Sequence, residues 1–158
     1  MITPAQISAA LGAKIGAVFP GEPLYENLAP RDFIRPSNLL ELQGIAMDGN
    51  WSCGAVEFRF TYKLTTFVAV DEVHNSHFPA LDARAMLVLG AFAEGYLKVG
   101  GRAPRVTRCQ SGNSMNDCAE VIVELTLAMN RAEFSPAELL PIMQTLDLQT
   151  IPKEDRNI

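Results

Sequence analysis

The chain has 158 residues, of which 48% are hydrophobic and 20% are charged. This is the composition of a folded globular chain with room for one core, and it excludes wholesale disorder. Eighteen acidic and thirteen basic residues give a formal net charge of −5, which argues against tight, sequence-independent binding to nucleic-acid phosphates.

The N-terminal stretch predicts a helix from Pro4 to about Val18. Thr3 suits the N-cap position, and Gln6 suits the reciprocal position of a capping box. A core-facing stripe then recurs at spacings of three and four residues: Ile7, Leu11, Ile15 and Val18. Gly12 and Gly16 predict close packing of the helix backbone, because a glycine inside a helix costs roughly 1 kcal/mol.

Three strands are predicted next. The first covers Leu24–Asn27, and the second begins after Pro36, since proline is tolerated at a strand start. A polar turn is expected over Gly44–Asn50. The third strand, Cys53–Val70, alternates apolar and polar side chains and therefore predicts one buried and one wet face. Its two faces carry Val56, Phe58, Phe60, Tyr62 and Leu64, and Glu57, Arg59, Thr61 and Lys63.

A second helix is expected to begin at Pro79 and to end at Gly95. Its predicted buried stripe consists of Leu81, Ala85, Val88, Leu89 and Phe92. The longest apolar run, Ala83–Ala93, is too short to cross a bilayer. Because the N-terminus also lacks a basic region followed by an apolar stretch, we expect a soluble protein without a signal peptide.

The remaining elements predicted in the chain are a short strand at Tyr96–Val99, extended structure at Arg105–Cys109, a polar loop at Gln110–Asp117 and a long strand at Ala119–Met129. The order α-β-β-β-α-β-β-β favours an α+β domain over residues 1–134, with an antiparallel or mixed sheet and two main helices packed on one face. Residues 135–158 are interpreted as a C-terminal extension. A capping pattern at Ser135–Glu138 indicates a short helix, which Pro141 would interrupt.

Candidate chemistry is sparse. The two histidines, His74 and His77, lie close to Asp82 and could supply metal ligands or a general base. Their spacing matches no zinc signature, and a polar loop before a helix commonly contains such residues. We therefore predict no catalytic residues, no cofactor and no metal site, and keep a small enzyme or metal-binding protein as the alternative from a different class.

Three cysteines without a CxxC pair favour free thiols in a reducing compartment, with a Cys109–Cys118 bridge as the less favoured alternative. Four basic residues occur within eleven positions: Lys98, Arg102, Arg105 and Arg108. They would suit a phosphate-contacting strip or a solvated or subunit-contacting strand face. No aromatic residue is interleaved for base stacking, which favours the second interpretation.

The order of features resembles the tail terminator (tail completion) family of long-tailed bacteriophages and prophages. The resemblance covers most of residues 1–134 and depends chiefly on the stretches LYE (24–26), FIRPS (33–37) and LKVGGR (97–102) with their spacing. It implies a tail-terminator-like fold and a structural virion protein that is not an enzyme. Another adaptor of the head-to-tail neck is the alternative within this class.

Members of this family form a ring, typically a hexamer, on the head-proximal end of the tail tube. The ring stops tube polymerisation and forms the interface to the head's neck. The implied partners are other copies of the chain, the tail tube protein, a head-completion or neck protein and, in sheathed tails, the sheath. DNA would only pass transiently through the lumen, no membrane is involved, and assembly would take place in the bacterial host cytoplasm.

The irregular segment between the first two strands is the predicted subunit interface. Two prolines restrict its backbone, and its side chains are large or charged. A plain connection between strands would explain the same residues. The predicted interface residues are Arg31, Asp32, Phe33, Ile34, Arg35 and Pro36.

Overall fold

The computed structural model describes residues 1–48, 54–70, 78–112 and 117–134. Within them lie the helices α1 (Pro4–Val18) and α2 (Phe78–Ala91), a 3-10 turn at Arg131–Glu133, and five strands: β1 (Leu24–Glu26), β2 (Ser37–Asp48), β3 (Ala55–Phe67), β4 (Arg105–Ser111) and β5 (Cys118–Asn130). The strands form one sheet in the order β1-β2-β3-β5-β4. β1 is parallel to β2 and the other pairs are antiparallel, so the predicted α+β class is confirmed.

The first helix begins and ends as predicted. The Thr3 amide donates to Oε1 of Gln6 at 2.9 Å, and the Gln6 amide donates to the Thr3 hydroxyl at 3.3 Å, which completes the capping box. A Cβ added at Gly12 would lie 3.0 Å from Cδ2 of Leu24, whereas one added at Gly16 would meet open space. The predicted close approach is therefore confirmed at Gly12 and wrong at Gly16.

Both helices pack on the same face of the sheet. Alternate residues of β3 face them, and these pair in register with inward-facing residues of β5: Phe60 with Leu125, Tyr62 with Val123 and Leu64 with Val121. The hydroxyl of Tyr62 donates to the carbonyl of Pro4 at 3.1 Å and accepts from the Ser8 hydroxyl at 3.3 Å. The side of the sheet away from the helices is called the open face below.

The turn predicted over Gly44–Asn50 is wrong for the residues that the structure describes. β2 continues to Asp48, because a β-bulge between Leu42 and Gly44 absorbs one residue and the pairing with β3 resumes. After the bulge, Ile45 and Met47 lie on the helix side, opposite Phe60 and Phe58. Residues 49–50 lie outside the described ranges.

Smaller differences occur around α2 and β4. The helix ends at Ala91, before the predicted Gly95, and the expected strand at Tyr96–Val99 consists only of isolated bridges. Gly100 and Gly101 have φ values of 52° and 79°, which close a tight turn that an L side chain would strain. Gln110 and Ser111 belong to β4, because they pair with β5. No helix in the described ranges has the length and apolar character needed to span a membrane.

Three predictions concern residues outside the described ranges: the loop at 71–77, the C-terminal helix within 135–158, and Cys53 at the start of the third predicted strand. The described part of that strand, β3, shows the predicted alternation: Val56, Phe60, Tyr62 and Leu64 are buried, and Phe58 packs against the core. In α2 and the turn after it, Leu81, Ala85, Val88 and Phe92 are buried. The buried stripe is therefore confirmed at these positions.

Candidate interaction surface

The open face of the sheet carries cross-strand ion pairs. Nζ of Lys63 lies 3.0 Å from the carboxylate of Glu41 and 3.6 Å from that of Glu120. The hydrogen bond that Lys63 donates to the Glu41 carboxylate raises the pKa of Lys63. Two further pairs continue the pattern, Arg59–Asp48 at 2.6 Å and Arg108–Glu124 at 3.7 Å. Because each of these positive side chains pairs with a carboxylate on a neighbouring strand, this part of the surface has no large patch of one charge.

Residues 27–36, here called the crossover segment, connect the parallel strands β1 and β2 and lie against one corner of the open face. The ring centroid of Phe33 is 4.7 Å from that of Phe67 at the end of β3. The backbone amide of Ile34 donates to the hydroxyl of Tyr25 at 3.2 Å. Both contacts hold residues 33 and 34 against the sheet of the same subunit.

Arg35 fastens the end of the crossover segment. Its guanidinium carbon lies 4.7 Å from the centre of the Phe33 ring and 5.2 Å from that of Phe67, both within cation–π range. It forms an ion pair with Asp117, and its Nη1 donates to the carbonyl of Val68 at 3.4 Å. Arg35 therefore joins the segment to the end of β3 and to the residue before β5.

The six residues of the predicted interface divide into two groups. Phe33 and Arg35 are half-buried against their own domain, whereas the other four are exposed. Ile34 is 65% exposed, and Leu28, earlier in the same segment, is 81% exposed. Sequence reasoning did not find Phe67 and Asp117 as anchors, because they are distant in the chain and no local pattern links them to the segment.

The outer face of α2 is a second exposed apolar surface. Its inward stripe is Leu81, Ala85 and Val88, but Met86 is 66% exposed, and Phe78 and Leu87 are also exposed. The other outward residues are mostly uncharged, and Asp82 is the exception. A helix that is apolar nearly all round is typical of one covered on both sides. This surface, the α2 outer patch, lies on the opposite side of the sheet from the crossover segment.

Arg84 forms a polar cluster that joins the helices to the sheet. It binds Glu22 with two guanidinium nitrogens, donates to Oγ1 of Thr66 at 2.7 Å and stacks 4.1 Å from the ring centre of Phe19. Asn38 donates to the same Glu22 carboxylate at 3.1 Å. The hydrogen bond from Arg84 lowers the pKa of Glu22. Since these groups satisfy each other, the cluster is a structural clamp between α2, the α1–β1 connection and the sheet.

Of the residues of the enzyme or metal alternative, only Asp82 lies within the described structure. His74 and His77 lie outside the described residues, and Asp82 is exposed on α2. Within 1–48, 54–70, 78–112 and 117–134, no group of three or more His, Cys, Asp or Glu side chains could hold a metal ion. In the same ranges no disulfide joins Cys109 to Cys118, and burial raises the pKa of Cys109 to about 11, so its thiol is a poor nucleophile at neutral pH.

The four basic residues do not form a continuous strip. Arg102 pairs with Glu133 at 2.6 Å, and Arg108 pairs with Glu124. Lys98 and Arg105 are exposed, and neither has an ion pair with another described residue. Half of the positive charge is therefore neutralised within the domain, which weakens its attraction for a phosphate backbone.

No protein-family model matches the chain, and no curated protein matches it. The resemblance in the sequence and the exposed surfaces are therefore the features that bear on function. The three stretches that carry the resemblance are structurally distinct. LYE is β1, FIRPS is the end of the crossover segment with the first residue of β2, and LKVGGR contains the tight turn before β4.

Proposed function

We propose that this protein is the ring-forming tail terminator of a long-tailed bacteriophage or prophage. It would assemble, typically as a hexamer, on the head-proximal end of the tail tube, stop tube polymerisation and form the interface to the head's neck. The family assignment comes from the sequence resemblance. The observation that carries the proposal of a ring is the pair of unlike apolar surfaces on opposite sides of the sheet.

A closed ring requires a head-to-tail interface, in which one patch of a subunit meets a different patch of its neighbour. The crossover segment offers the exposed side chains of Leu28 and Ile34, and the α2 outer patch offers Met86 and Leu87 beyond the helices. Single exposed apolar residues are ordinary, but several of them on two unlike surfaces are what a repeating contact needs. A two-fold dimer would need only one self-complementary patch.

The anchoring of the crossover segment also supports this assignment. A surface that is already ordered loses less conformational freedom on association than a mobile loop does. Phe33 and Arg35 hold the backbone, while Ile34 between them points its side chain away from the domain, as its exposure shows. The proposed division of labour is therefore anchoring by Phe33 and Arg35 and subunit contact by Ile34 and Leu28.

Tube polymerisation provides the test. The tube protein from the same phage or prophage would be allowed to polymerise with wild-type protein, with Ile34→Glu, with Met86→Glu, or with Gln43→Glu as a matched charge control on an exposed residue of β2. Wild type and the control should stop growth and shorten the tubes, and the two patch variants should not. Unchanged tube lengths in the presence of wild-type protein would contradict the proposed function.

Mixing the two patch variants tests the head-to-tail arrangement separately. Each variant alone has one damaged patch in every interface. In the mixture, the intact segment of Met86→Glu can meet the intact α2 outer patch of Ile34→Glu, but the next interface is doubly damaged. We expect a two-subunit species in the mixture and in neither variant alone, measured by native mass spectrometry. Dimers of a single variant would contradict the arrangement.

A further inference from the structure

A third apolar surface lies at the end of the sheet that the helices leave uncovered. The β-bulge returns Ile45 and Met47 to the helix side, where Met47 pairs in register with Phe58 and Ile45 with Phe60. Ile45 is exposed and Met47 is 54% exposed. The ring of Phe134 lies 5.2 Å from that of Phe58. These residues, Ile45, Met47, Phe58 and Phe134, are called the hairpin patch.

Phe134 is held in this patch by well-formed local structure. The side chain of Asn130 accepts from the Ala132 amide at 2.9 Å, and the Phe134 amide donates to the carbonyl of Arg131 at 3.0 Å. Glu133 is bound by Arg102 at 2.6 Å and lies 3.1 Å from the amino group of Met1. These contacts lower the pKa of Glu133 to about 2. These contacts therefore fix Phe134, the last described residue, in position on the patch.

We propose that the hairpin patch is the docking surface for residues 135–158 of the same chain. That segment starts one residue after Phe134, so no linker separates it from the patch. Its first part is rich in apolar side chains: Leu139, Leu140, Ile142, Met143 and Leu146. Residues 139–143 can lie no farther than about 30 Å from Phe134 even in a fully extended chain.

Two physical arguments favour this occupant over a separate molecule. A tethered segment has an effective concentration of about millimolar or more, which a free partner would rarely reach. The patch is also chemically matched, because its side chains are aliphatic, aromatic or thioether and the segment supplies aliphatic side chains and the thioether of Met143. The inference is independent of the proposed ring, because it concerns a different surface and a contact within one chain.

The test places the photo-crosslinking residue p-benzoyl-phenylalanine at position 47 of the full-length chain. A matched control carries it at position 46, where Ala46 is exposed on the same strand but faces the other side of the sheet. Unlabelled and ¹⁵N-labelled copies are mixed before irradiation, so that mass spectrometry separates crosslinks within a chain from crosslinks between chains. From position 47 we expect crosslinks to peptides of residues 135–158 within one chain, well above the yield from position 46.

A second variant, in the C-terminal segment, tests the same contact in case the crosslinking residue disturbs the strand. Leu139→Asp with Met143→Asp should lower the crosslink yield to this segment by on the order of tenfold, because two apolar contacts are replaced by charges. Circular dichroism should remain that of wild type, since the described core does not include these residues. Equal yields from positions 46 and 47, crosslinks mainly between labelled and unlabelled copies, or an unchanged yield in the double variant would each overturn the proposal.

Discussion

In the crossover segment, replacing Phe33 should lower the stability of the fold, whereas replacing the neighbouring Ile34 should impair assembly. Phe33→Ala removes an aromatic contact at 4.7 Å and a cation–π contact with Arg35. Such contacts contribute about 0.5–1.5 and 0.5–1 kcal/mol, so we expect the free energy of unfolding to fall by about 2 kcal/mol. Ile34→Ala should change it by less than about 0.5 kcal/mol, because the Ile34 side chain is 65% exposed.

Urea unfolding followed by circular dichroism measures both effects, with the midpoint shifting and the slope unchanged. The same variants are then tested for stopping tube growth. Ile34→Ala should be as stable as wild type and defective in stopping growth, while Phe33→Leu, which keeps the apolar bulk but loses both ring contacts, should be less stable than wild type and retain most of its activity. Equal destabilisation by Ile34→Ala and Phe33→Ala would refute the assignment of anchor and contact roles, as would full activity of Ile34→Ala.

Four further predictions concern other parts of the chain. Arg84→Ala should lower the free energy of unfolding by about 3 kcal/mol in urea, because it leaves the Glu22 carboxylate largely buried without its partner; a loss below about 1 kcal/mol would contradict the clamp. The pKa of Glu22 is lowered in the folded state, so the ionised carboxylate stabilises the fold fully above the ordinary carboxyl pKa, and this stabilisation is lost as the pH falls through the folded-state pKa. The difference in free energy of unfolding between wild type and Glu22→Gln should therefore shrink in acid. A difference that does not change between pH 7 and pH 3 would be inconsistent with this pairing. His74→Ala with His77→Ala should leave oligomerisation and tube capping unchanged, and loss of either would revive the enzyme or metal alternative. The wild-type protein should show no submicromolar affinity for duplex DNA in physiological salt by fluorescence anisotropy, and such binding would contradict the assignment of the basic residues to a protein-facing or solvated surface.

Local patterns in the sequence predicted most of the fold. The capping box at Thr3 and Gln6 predicted the start of α1, and the alternation in β3 predicted which of its apolar side chains face the core. The bulge near Gly44 was not predictable in this way. The polar and small residues around it are typical of a turn, and only the pairing with β3 shows that the strand continues.

The candidate surface was only partly predictable. Pro30, Pro36 and the large side chains between them singled out the segment, but which of its side chains would be exposed depends on Phe67 and Asp117. The Arg84 clamp likewise depends on groups from four separate parts of the chain, and its only local signal was an arginine within an apolar helix. Contacts between distant residues determine both features, and no periodicity in the sequence encodes them.

Electron microscopy of tail tubes assembled with the wild-type protein tests the central proposal most directly. We expect a closed ring of this protein at one end of each tube, with the crossover segment of every subunit against the α2 outer patch of the next. The Gln43→Glu control should give the same ring, and Ile34→Glu should leave both ends bare. Tubes that carry no ring in the presence of wild-type protein, or a ring whose interfaces involve neither surface, would contradict it.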